Sequence, residues 1–331
     1  MPFVTAETIG EFIKDLIVFY LVLTFIFTIY SVIRMYVIEH KANDVKSGRK
    51  RVLELRKSGR YLQIPIYSME EMGKNKNKED VRLYVFPNDT GVKTKFVLIL
   101  PGGGYAHTCT REEGYPIAAK LNEMGYTCFI LEYRTRFKCT KYAPMEDVAN
   151  ALKYIEKNQD SFNVTMEDYA LMGFSAGGNL AAMFGTHHHG YEEFGVQKPK
   201  AIILGYPWTS INHWLRHPYW NIWIGLLGVW LSIRGEFYMF GPNPVKMHKH
   251  KKGLDVQLYI DEDFPKTYMF SGGWDVLVPA SRHADILEKA FKDKGVEYKY
   301  QKYFGVPHGI GLGKNTAAEG WLGEAIEYWE Q

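Results

Sequence analysis

Residues 168–184 read Asp-Tyr-Ala-Leu-Met-Gly-Phe-Ser-Ala-Gly-Gly-Asn-Leu-Ala-Ala-Met-Phe, and this stretch decides the fold. Residues 169–172 form a short apolar run typical of a buried strand, and residues 179–184 are good helix formers. Between them lies a match to Gly-x-Ser-x-Gly, a pattern in which the serine occupies a strained turn from strand to helix. The small glycines let the strand and the helix cross closely behind that serine. The pattern also arises by chance, but strand, turn and helix in this order predict an exposed, reactive Ser175.

Composition sets broad limits on the rest of the chain. The 331 residues are 46% hydrophobic and include 31 glycines, which suits one large domain or two small ones. A net charge of +3 gives no case for binding nucleic acid. Cys109, Cys128 and Cys139 match neither a zinc spacing nor a disulfide framework, so we interpret them as reduced thiols. The sequence indicates no metal site and no cofactor.

Residues 16–33 are uncharged and largely apolar. As a helix they would be about 27 Å long, close to the thickness of a bilayer core. A signal peptide is one alternative, but the preceding residues Glu7, Glu11, Lys14 and Asp15 are not the positive segment that it needs, and no cleavage site follows. A buried core helix is another, but apolar side chains occupy every side of the run. Residues 1–40 are therefore predicted to be a membrane anchor helix.

The residues after this helix are basic. Residues 41–60 contain eight lysines and arginines, opposed only by Asp44 and Glu54. By the positive-inside rule this flank stays cytoplasmic, so a single-pass protein with its globular domain on the cytoplasmic side is predicted. The same residues suit contact with anionic lipid headgroups, although a solvated linker is equally compatible with them. We interpret residues 41–80 as a basic and polar linker and residues 81–331 as the globular, catalytic domain.

Strand-like and helix-like segments alternate through this domain, which predicts a mostly parallel sheet with helices on both faces. Besides 169–172, the predicted strands are residues 81–86, 96–100, 128–133, 201–205, 268–271 and 298–304. Besides 179–184, the predicted helices are residues 115–124, 144–157, 282–294 and 317–329.

A tryptophan-rich insertion at residues 210–245 interrupts this alternation. It holds Trp214, Trp220, Trp223 and Trp230, and its uncharged core, residues 219–233, would be about 22 Å long as a helix. That length is short for a membrane span, which leaves a lid, an interfacial segment or a core helix. The anchor upstream favours a lid or an interfacial segment.

A reactive serine needs a base, an acid that orients the base, and an oxyanion hole. After a Gly-x-Ser-x-Gly turn the chain order is serine, acid, histidine. Asp275 follows the strand at 268–271 and a glycine turn, and His308 lies in a glycine-rich loop after the last strand. Both would therefore lie with Ser175 at the carboxyl edge of the sheet, where sites in open α/β sheets collect. The competing acids Asp255, Asp261 and Asp263 have no clear strand before them.

The triple glycine at residues 102–104 follows a buried strand and predicts the oxyanion hole. Its backbone N–H groups at Gly103 and Gly104, with that of Ala176, are the candidate donors. A flexible turn or a phosphate loop are the alternatives, but no Lys-Ser/Thr pair follows the glycines. The candidate residues of the substrate pocket are Tyr105, His107, Tyr206 and Trp208.

Four motifs together resemble the α/β-hydrolase superfamily, in its acetyl esterase and xylan esterase-like branch related to hormone-sensitive lipase. They are Pro-Gly-Gly-Gly-Tyr at 101–105, Gly-Phe-Ser-Ala-Gly-Gly-Asn-Leu-Ala at 173–181, Asp-Val-Leu-Val-Pro at 275–279 and Pro-His-Gly-Ile-Gly-Leu at 307–312. The resemblance implies Ser175 as nucleophile, Asp275 as acid and His308 as base, and it makes Arg134 and Asp147 a structural ion pair. Pro101 replaces a histidine that is usual in the lipase type, which favours the acetyl esterase-like branch.

The expected function is that of a serine carboxylesterase acting on short-acyl or apolar esters, without a cofactor. The anchor and the tryptophan-rich insertion are not part of the common pattern of secreted xylan esterases, which argues against a polysaccharide substrate. A serine peptidase of the same fold and a non-catalytic binding protein are the alternatives. Nothing in the sequence indicates an oligomeric state.

Overall fold

The computed structural model describes residues 6–140, 142–211, 219–241 and 253–331. The helices are α1 (Ala6–Ala42), α2 (Val45–Lys57), α3 (Met69–Lys74), α4 (Tyr115–Glu123), α5 (Ala143–Lys157), α6 (Ser175–Phe184), α7 (Ile222–Phe240), α8 (Ala284–Lys294) and α9 (Trp321–Glu330). The strands are β1 (Leu62–Pro65), β2 (Arg82–Phe86), β3 (Phe96–Leu100), β4 (Thr127–Glu132), β5 (Ala170–Phe174), β6 (Ala201–Gly205), β7 (Lys266–Gly272) and β8 (Tyr298–Tyr303).

The eight strands form one sheet in the order β1-β2-β4-β3-β5-β6-β7-β8. β1, β2 and β4 pair antiparallel, and all the pairings from β4 through β3 to β8 are parallel. The predicted mostly parallel sheet is therefore confirmed, with element ends that differ from the prediction by a few residues. Because β3, β5, β7 and β8 run in parallel, the loops that follow them open at one edge of the sheet.

Each face of the sheet has its own hydrophobic core. In β3 the side chains of Phe96 and Leu98 belong to one core and those of Val97 and Ile99 to the other, as the two-residue period of a strand requires. α5, α6 and α8 cover the first face, and α2, α4 and α9 cover the second. The central strands are therefore buried on both sides, and the candidate functional groups lie in the loops at the carboxyl ends of the strands.

Residues 41–80 differ from the predicted linker, because they contain α2, β1 and α3. α2 buries Val52 and Leu55 in the second core, and its Gly48 lies so close to α4 that a Cβ there would be 2.7 Å from the nitrogen of Pro116. Arg51 of this basic segment is buried and forms an ion pair with Asp89 at 2.8 Å. A minority of the residues in this segment thus pack onto the domain. The high content of lysine and arginine makes the whole segment look like an exposed linker in the sequence.

Among the described residues, one helix is long and apolar enough to cross a membrane, and it is α1. A signal sequence near an N-terminus can have the same length and composition. Only 11% of the most apolar stretch of α1 is buried, unlike a core helix. Its last turns pack on the domain, where Arg34 donates to the carbonyl of Gly305 at 2.8 Å and Asn43 to that of Gly309 at 2.9 Å. The C-terminal end of α1 is therefore attached to the loop that contains His308.

The predicted insertion at residues 210–245 is described in part. Residues 212–218, with Trp214, and residues 242–245 lie outside the described residues. The described part forms α7, which packs beside α1: the indole N–H of Trp223 donates to the carbonyl of Leu21 at 3.0 Å, and its ring contacts that of Phe25.

Candidate active site

Ser175 is the first residue of α6 and directly follows β5. Its φ of 50° lies in the left-handed region, which is costly for a residue with a side chain. The turn closes only because its glycines lack side chains: a Cβ on Gly177 would lie 2.0 Å from the carbonyl oxygen of Leu100, and one on Gly173 would lie 2.2 Å from that of Gly177. The predicted strained turn is present, and it leads directly into the helix.

The structure brings Ser175, His308 and Asp275 together in one hydrogen-bonded chain. The Nε2 atom of His308 is 2.9 Å from the Oγ atom of Ser175, and its Nδ1 atom is 2.6 Å from Oδ2 of Asp275. The other carboxylate oxygen of Asp275 accepts the backbone N–H groups of Leu277 and Val278, at 3.0 and 2.7 Å. The aspartate is thus fixed by its own turn and can hold the imidazole toward the serine.

The loops that carry the aspartate and the histidine are joined to each other. The N–H of Gly273 donates to the carbonyl of Tyr303 at 2.8 Å, and that of Trp274 donates to Val306 at 2.9 Å. A Cβ on Gly272 would lie 2.2 Å from the Val306 carbonyl oxygen, so this approach requires glycine. The distance between acid and base is therefore set by backbone contacts.

The charge state of His308 depends on opposing effects. Burial lowers its pKa, but the charge of Asp275 and the hydrogen bond to it raise the pKa above its ordinary value. The imidazolium that forms when the ring accepts a proton is therefore stabilised by the aspartate.

The glycine loop after β3 lies beside Ser175, as the oxyanion-hole prediction requires. A Cβ on Gly102 would be 2.9 Å from the Cβ of Ser175. Gly103 and Gly104 follow with φ values of 122° and 61°, which favour glycine. The N–H of Ala176, in the first turn of α6, has no acceptor within its own helix. These three amides stay the predicted donors.

A buried carboxylate, that of Glu113, links the glycine loop to the histidine loop. It lies in the π-helical turn Thr110–Gly114, where it accepts the N–H of Gly102 at 2.6 Å and the hydroxyl of Tyr206 at 2.8 Å. The oxygen of that hydroxyl accepts the N–H of Gly311 at 3.0 Å. Burial raises the pKa of Glu113 to about 7, although the Gly102 and Tyr206 hydrogen bonds lower it. Sequence reasoning missed this residue, because nothing distinguishes Glu113 from the adjacent Glu112.

A cavity of about 210 Å³ opens beside Ser175 and His308. Of the predicted pocket residues, His107 and Trp208 line it. Tyr105 and Tyr206 do not: both are buried, Tyr105 donating to Asn179 at 2.9 Å and Tyr206 placing its ring 4.9 Å from that of His308. These two tyrosines support the site from behind, so the prediction that they line the pocket is corrected.

Two helices outside the predicted pocket supply part of the cavity wall. They contribute Met35 and Glu39 from α1, and Leu231 and Arg234 from α7. A larger cleft of about 950 Å³, lined mainly by charged and polar side chains, adjoins the cavity. It shares Glu39, His107 and Cys109 with the cavity but does not include Ser175. A lid is among the predicted alternatives for the insertion that contains α7, but α1 is predicted only as an anchor, so its contribution to the cavity was missed.

Comparison with known proteins places this geometry in a family. The sequence pattern of the BD-FAE family matches residues 82–290, which include Ser175 and Asp275. The acetylxylan esterase of Xylanibacter ruminicola is 28% identical over 214 residues, covering 65% of this chain and 40% of that protein. Endo-1,4-beta-xylanase B of Butyrivibrio fibrisolvens is 22% identical over 250 residues, covering 73% of this chain and 36% of the xylanase. The chain thus spans about two fifths of the length of these relatives.

Solved structures share the fold. The acetyl ester-xyloside bifunctional hydrolase of Caldicellulosiruptor lactoaceticus superposes with a TM-score of 0.66 at 23% identity, covering 81% of this chain and 95% of its own. The carboxylesterase Cest-2923 of Lactobacillus plantarum superposes with a TM-score of 0.57 at 18% identity, and the match covers 76% of this chain and 91% of the carboxylesterase. The family pattern extends over more than half of the chain. The chain belongs to the BD-FAE family of α/β-hydrolases.

Proposed function

We propose that this protein is a membrane-anchored serine carboxylesterase that acts on short-acyl or apolar esters. The observation that carries the proposal is the continuous hydrogen-bonded chain from Ser175 through His308 to Asp275 at the wall of a cavity. The relatives of this chain include an acetylxylan esterase, which supports ester chemistry. The cavity beside Ser175 has about 210 Å³, less than the roughly 300–1,000 Å³ of sites for drug-sized ligands, which favours a small acyl group at the serine.

In this mechanism the Oγ atom of Ser175 attacks the ester carbonyl while Nε2 of His308 takes the serine proton. Asp275 keeps the ring oriented and stabilises the imidazolium. The tetrahedral oxyanion accepts hydrogen bonds from the backbone amides of Gly103, Gly104 and Ala176. His308 then protonates the leaving alcohol, and a water molecule activated by the same histidine releases the acid from the serine.

Labelling and an ester series test this function. We expect the full chain, purified in detergent, to react covalently with a fluorophosphonate and to hydrolyse p-nitrophenyl esters best as acetate or butyrate, because longer chains exceed the cavity. A peptide anilide serves as the control substrate and should be hydrolysed at least about 100-fold more slowly, because an amide needs stronger activation of its leaving group. Absence of labelling on the folded protein would contradict the esterase and favour a binding protein, and preference for the anilide would favour a peptidase.

The proposal places α1 across a membrane with the catalytic domain on the cytoplasmic side. The excess of lysine and arginine in residues 41–60 supports this orientation, although Arg51 and Arg60 also pair with Asp89. We expect the domain to resist protease added outside sealed cells and to be digested after the cells are opened. Digestion in sealed cells would reverse the orientation.

The Glu113→Gln variant tests how the buried carboxylate acts on the base. Below its pKa His308 is protonated and cannot accept the proton of Ser175, so kcat/KM should fall with falling pH around a midpoint above about 6.5. Above its own pKa of about 7, Glu113 is negatively charged, and that charge contributes to the raised pKa of His308. Its removal should lower the pKa of His308 and move the midpoint of the kcat/KM profile to lower pH.

The control for this variant is Glu112→Gln, which changes an adjacent carboxylate outside the hydrogen bonds to Gly102 and Tyr206. Its midpoint should stay close to that of the wild type. A midpoint for Glu113→Gln that is unchanged or moves to higher pH would show that Glu113 does not set the charge state of His308.

A further inference from the structure

One face of α7 is apolar and exposed over residues 222–233. The side chains of Ile222, Leu226, Trp230 and Ile233 recur every three or four residues, which places them on one side of the helix. Leu226 is 58% exposed and Trp230 54% exposed. If α7 were a lid in water, this apolar stripe would stay in contact with solvent. An exposed apolar stripe of this kind indicates an apolar binding partner.

That neighbour is indicated by the position of α7 beside α1. Asn221, directly before α7, donates to the carbonyl of Thr24 at 3.2 Å, while further along Leu231 of α7 and Met35 of α1 line the same cavity. From the contact between Asn221 and Thr24 to the cavity lined by Leu231 and Met35, residue numbers increase on both helices, so the helices run in the same direction. Thr24 lies at the middle of the uncharged run 16–33. If α1 crosses a bilayer, α7 begins near the bilayer centre.

Three backbone N–H groups in the first turn of α7, those of Trp223, Ile224 and Gly225, are paired within the protein. The Oδ1 atom of Asn221 accepts the N–H groups of Trp223 at 3.0 Å and Ile224 at 3.2 Å. Asn221 is fully buried, and the hydroxyl of Tyr20 on α1 donates to the carbonyl of Trp220. A helix end in water can leave such groups to solvent, whereas one in hydrocarbon has to pair them within the protein. The paired groups at the start of α7 therefore fit a position in hydrocarbon.

We propose that α7 is embedded in the same bilayer as α1 and enters it to about half its depth, so that the substrate is an ester dissolved in that bilayer. This rests on the proposed esterase and its anchor. Met35 lies eleven residues beyond Thr24, a rise of about 16 Å, and half of a bilayer core is about 15 Å. The cavity bounded by Met35 and Leu231 therefore lies at the membrane surface.

This position defines how the ester is bound. Its carbonyl reaches Ser175 at the inner end of the cavity, and Met35 and Leu231 form an apolar boundary on the side of the two membrane helices. The part of the ester that exceeds about 210 Å³ leaves between these side chains and stays in the hydrocarbon. An apolar ester thus avoids transfer through water on its way to the serine.

The first test uses the wild-type full chain in phosphatidylcholine vesicles that contain a phospholipid with a diazirine at the end of its acyl chain. After illumination and digestion, we expect label on peptides from residues 16–33 and 222–233. Leu62 is an apolar residue that is 42% exposed on β1, a strand at the edge of the sheet, and the peptide that contains it should stay unlabelled. Label on α1 without label on α7 overturns the proposal, and label on neither overturns it together with the anchor. Fluorophosphonate reaction of the same sample reports the esterase site separately.

The second test measures the route of the substrate with a Leu226→Asp variant. Leu226 lies on the exposed face and does not line the cavity. A charge there opposes embedding, so hydrolysis of hexadecyl butyrate dissolved in vesicles should fall by at least about tenfold. Hydrolysis of water-soluble p-nitrophenyl butyrate in detergent should stay within about twofold, since the cavity is intact.

The Leu62→Asp variant is the matched control and should leave both rates unchanged. An unchanged rate of Leu226→Asp on the vesicle-dissolved ester overturns the proposal. If Leu226→Asp does not fold, the labelling of wild-type α7 still decides between an embedded helix and a lid in water.

Discussion

Replacing Ser175 by alanine is expected to lower kcat/KM for p-nitrophenyl butyrate by a factor on the order of 10⁴ to 10⁶. The variant removes the atom that forms the covalent bond, while His308 and Asp275 keep the hydrogen bond of 2.6 Å between them. The oxyanion donors and the cavity also remain, so KM should change much less than kcat. Fluorophosphonate labelling should be lost completely, because the probe reacts with the same oxygen.

Ser232→Ala is the matched control for this experiment. Ser232 is also buried, but its hydroxyl has no hydrogen-bond partner among the described residues, so its loss should change kcat/KM by no more than about threefold. Alanine at 175 should also relieve little of the backbone strain, since the φ of 50° is imposed by the glycine contacts around it. A Ser175→Ala protein that retains a tenth or more of the wild-type rate would remove the proposed nucleophile.

Replacing Asp147 by alanine is expected to lower the free energy of unfolding by about 3–5 kcal/mol without direct effect on the chemistry. Asp147 is fully buried, and its carboxylate accepts the N–H and the guanidinium of Arg134 at 2.8 and 2.7 Å and the hydroxyl of Tyr67 at 2.5 Å. The alanine leaves a guanidinium that is 4% exposed without its main partner. Urea denaturation of the detergent-solubilised chain, followed by tryptophan fluorescence, measures the loss.

The adjacent Glu146 provides the comparison, because it binds the same guanidinium at 2.7 Å from a half-exposed position. Glu146→Ala should cost about 1 kcal/mol or less, since water can replace an exposed partner. Folded Asp147→Ala protein should keep kcat/KM within a few-fold of wild type. Equal stability of the two variants, or a selective loss of kcat in Asp147→Ala, would contradict a structural role for the buried pair.

The buried parallel strands were the most predictable part of the fold. β3 and β6 have the predicted bounds, residues 96–100 and 201–205, because strands covered on both faces are continuous apolar runs. β1 escaped prediction because it has only four residues, lies at the edge and buries none of them. α2 escaped it because its packing depends on Gly48, Val52 and Leu55 within a basic segment.

The candidate triad could be predicted because each member follows a strand whose carboxyl end must lie at the same edge of the sheet. The residues that were missed reach the site through tertiary packing that no local pattern encodes. Glu113 and Glu112 are the same residue type side by side, yet only Glu113 accepts the Gly102 amide. Met35 comes from α1, whose sequence predicts an anchor and no part of the cavity, whereas Arg234 comes from the insertion for which a lid is one of the predicted alternatives.

The contacts of α1 with the loop that contains His308 mean that removing this helix would also change the surroundings of the site. Arg34 binds the carbonyl of Gly305 and Asn43 that of Gly309, so the loop is held on both sides of His308. A recombinant fragment that begins after the helix, the usual route to a soluble enzyme, would discard the first of these contacts together with Met35 and Glu39. An unrelated helix in the place of α1 would lack these contacts, so α1 and the loop that contains His308 have to be kept together.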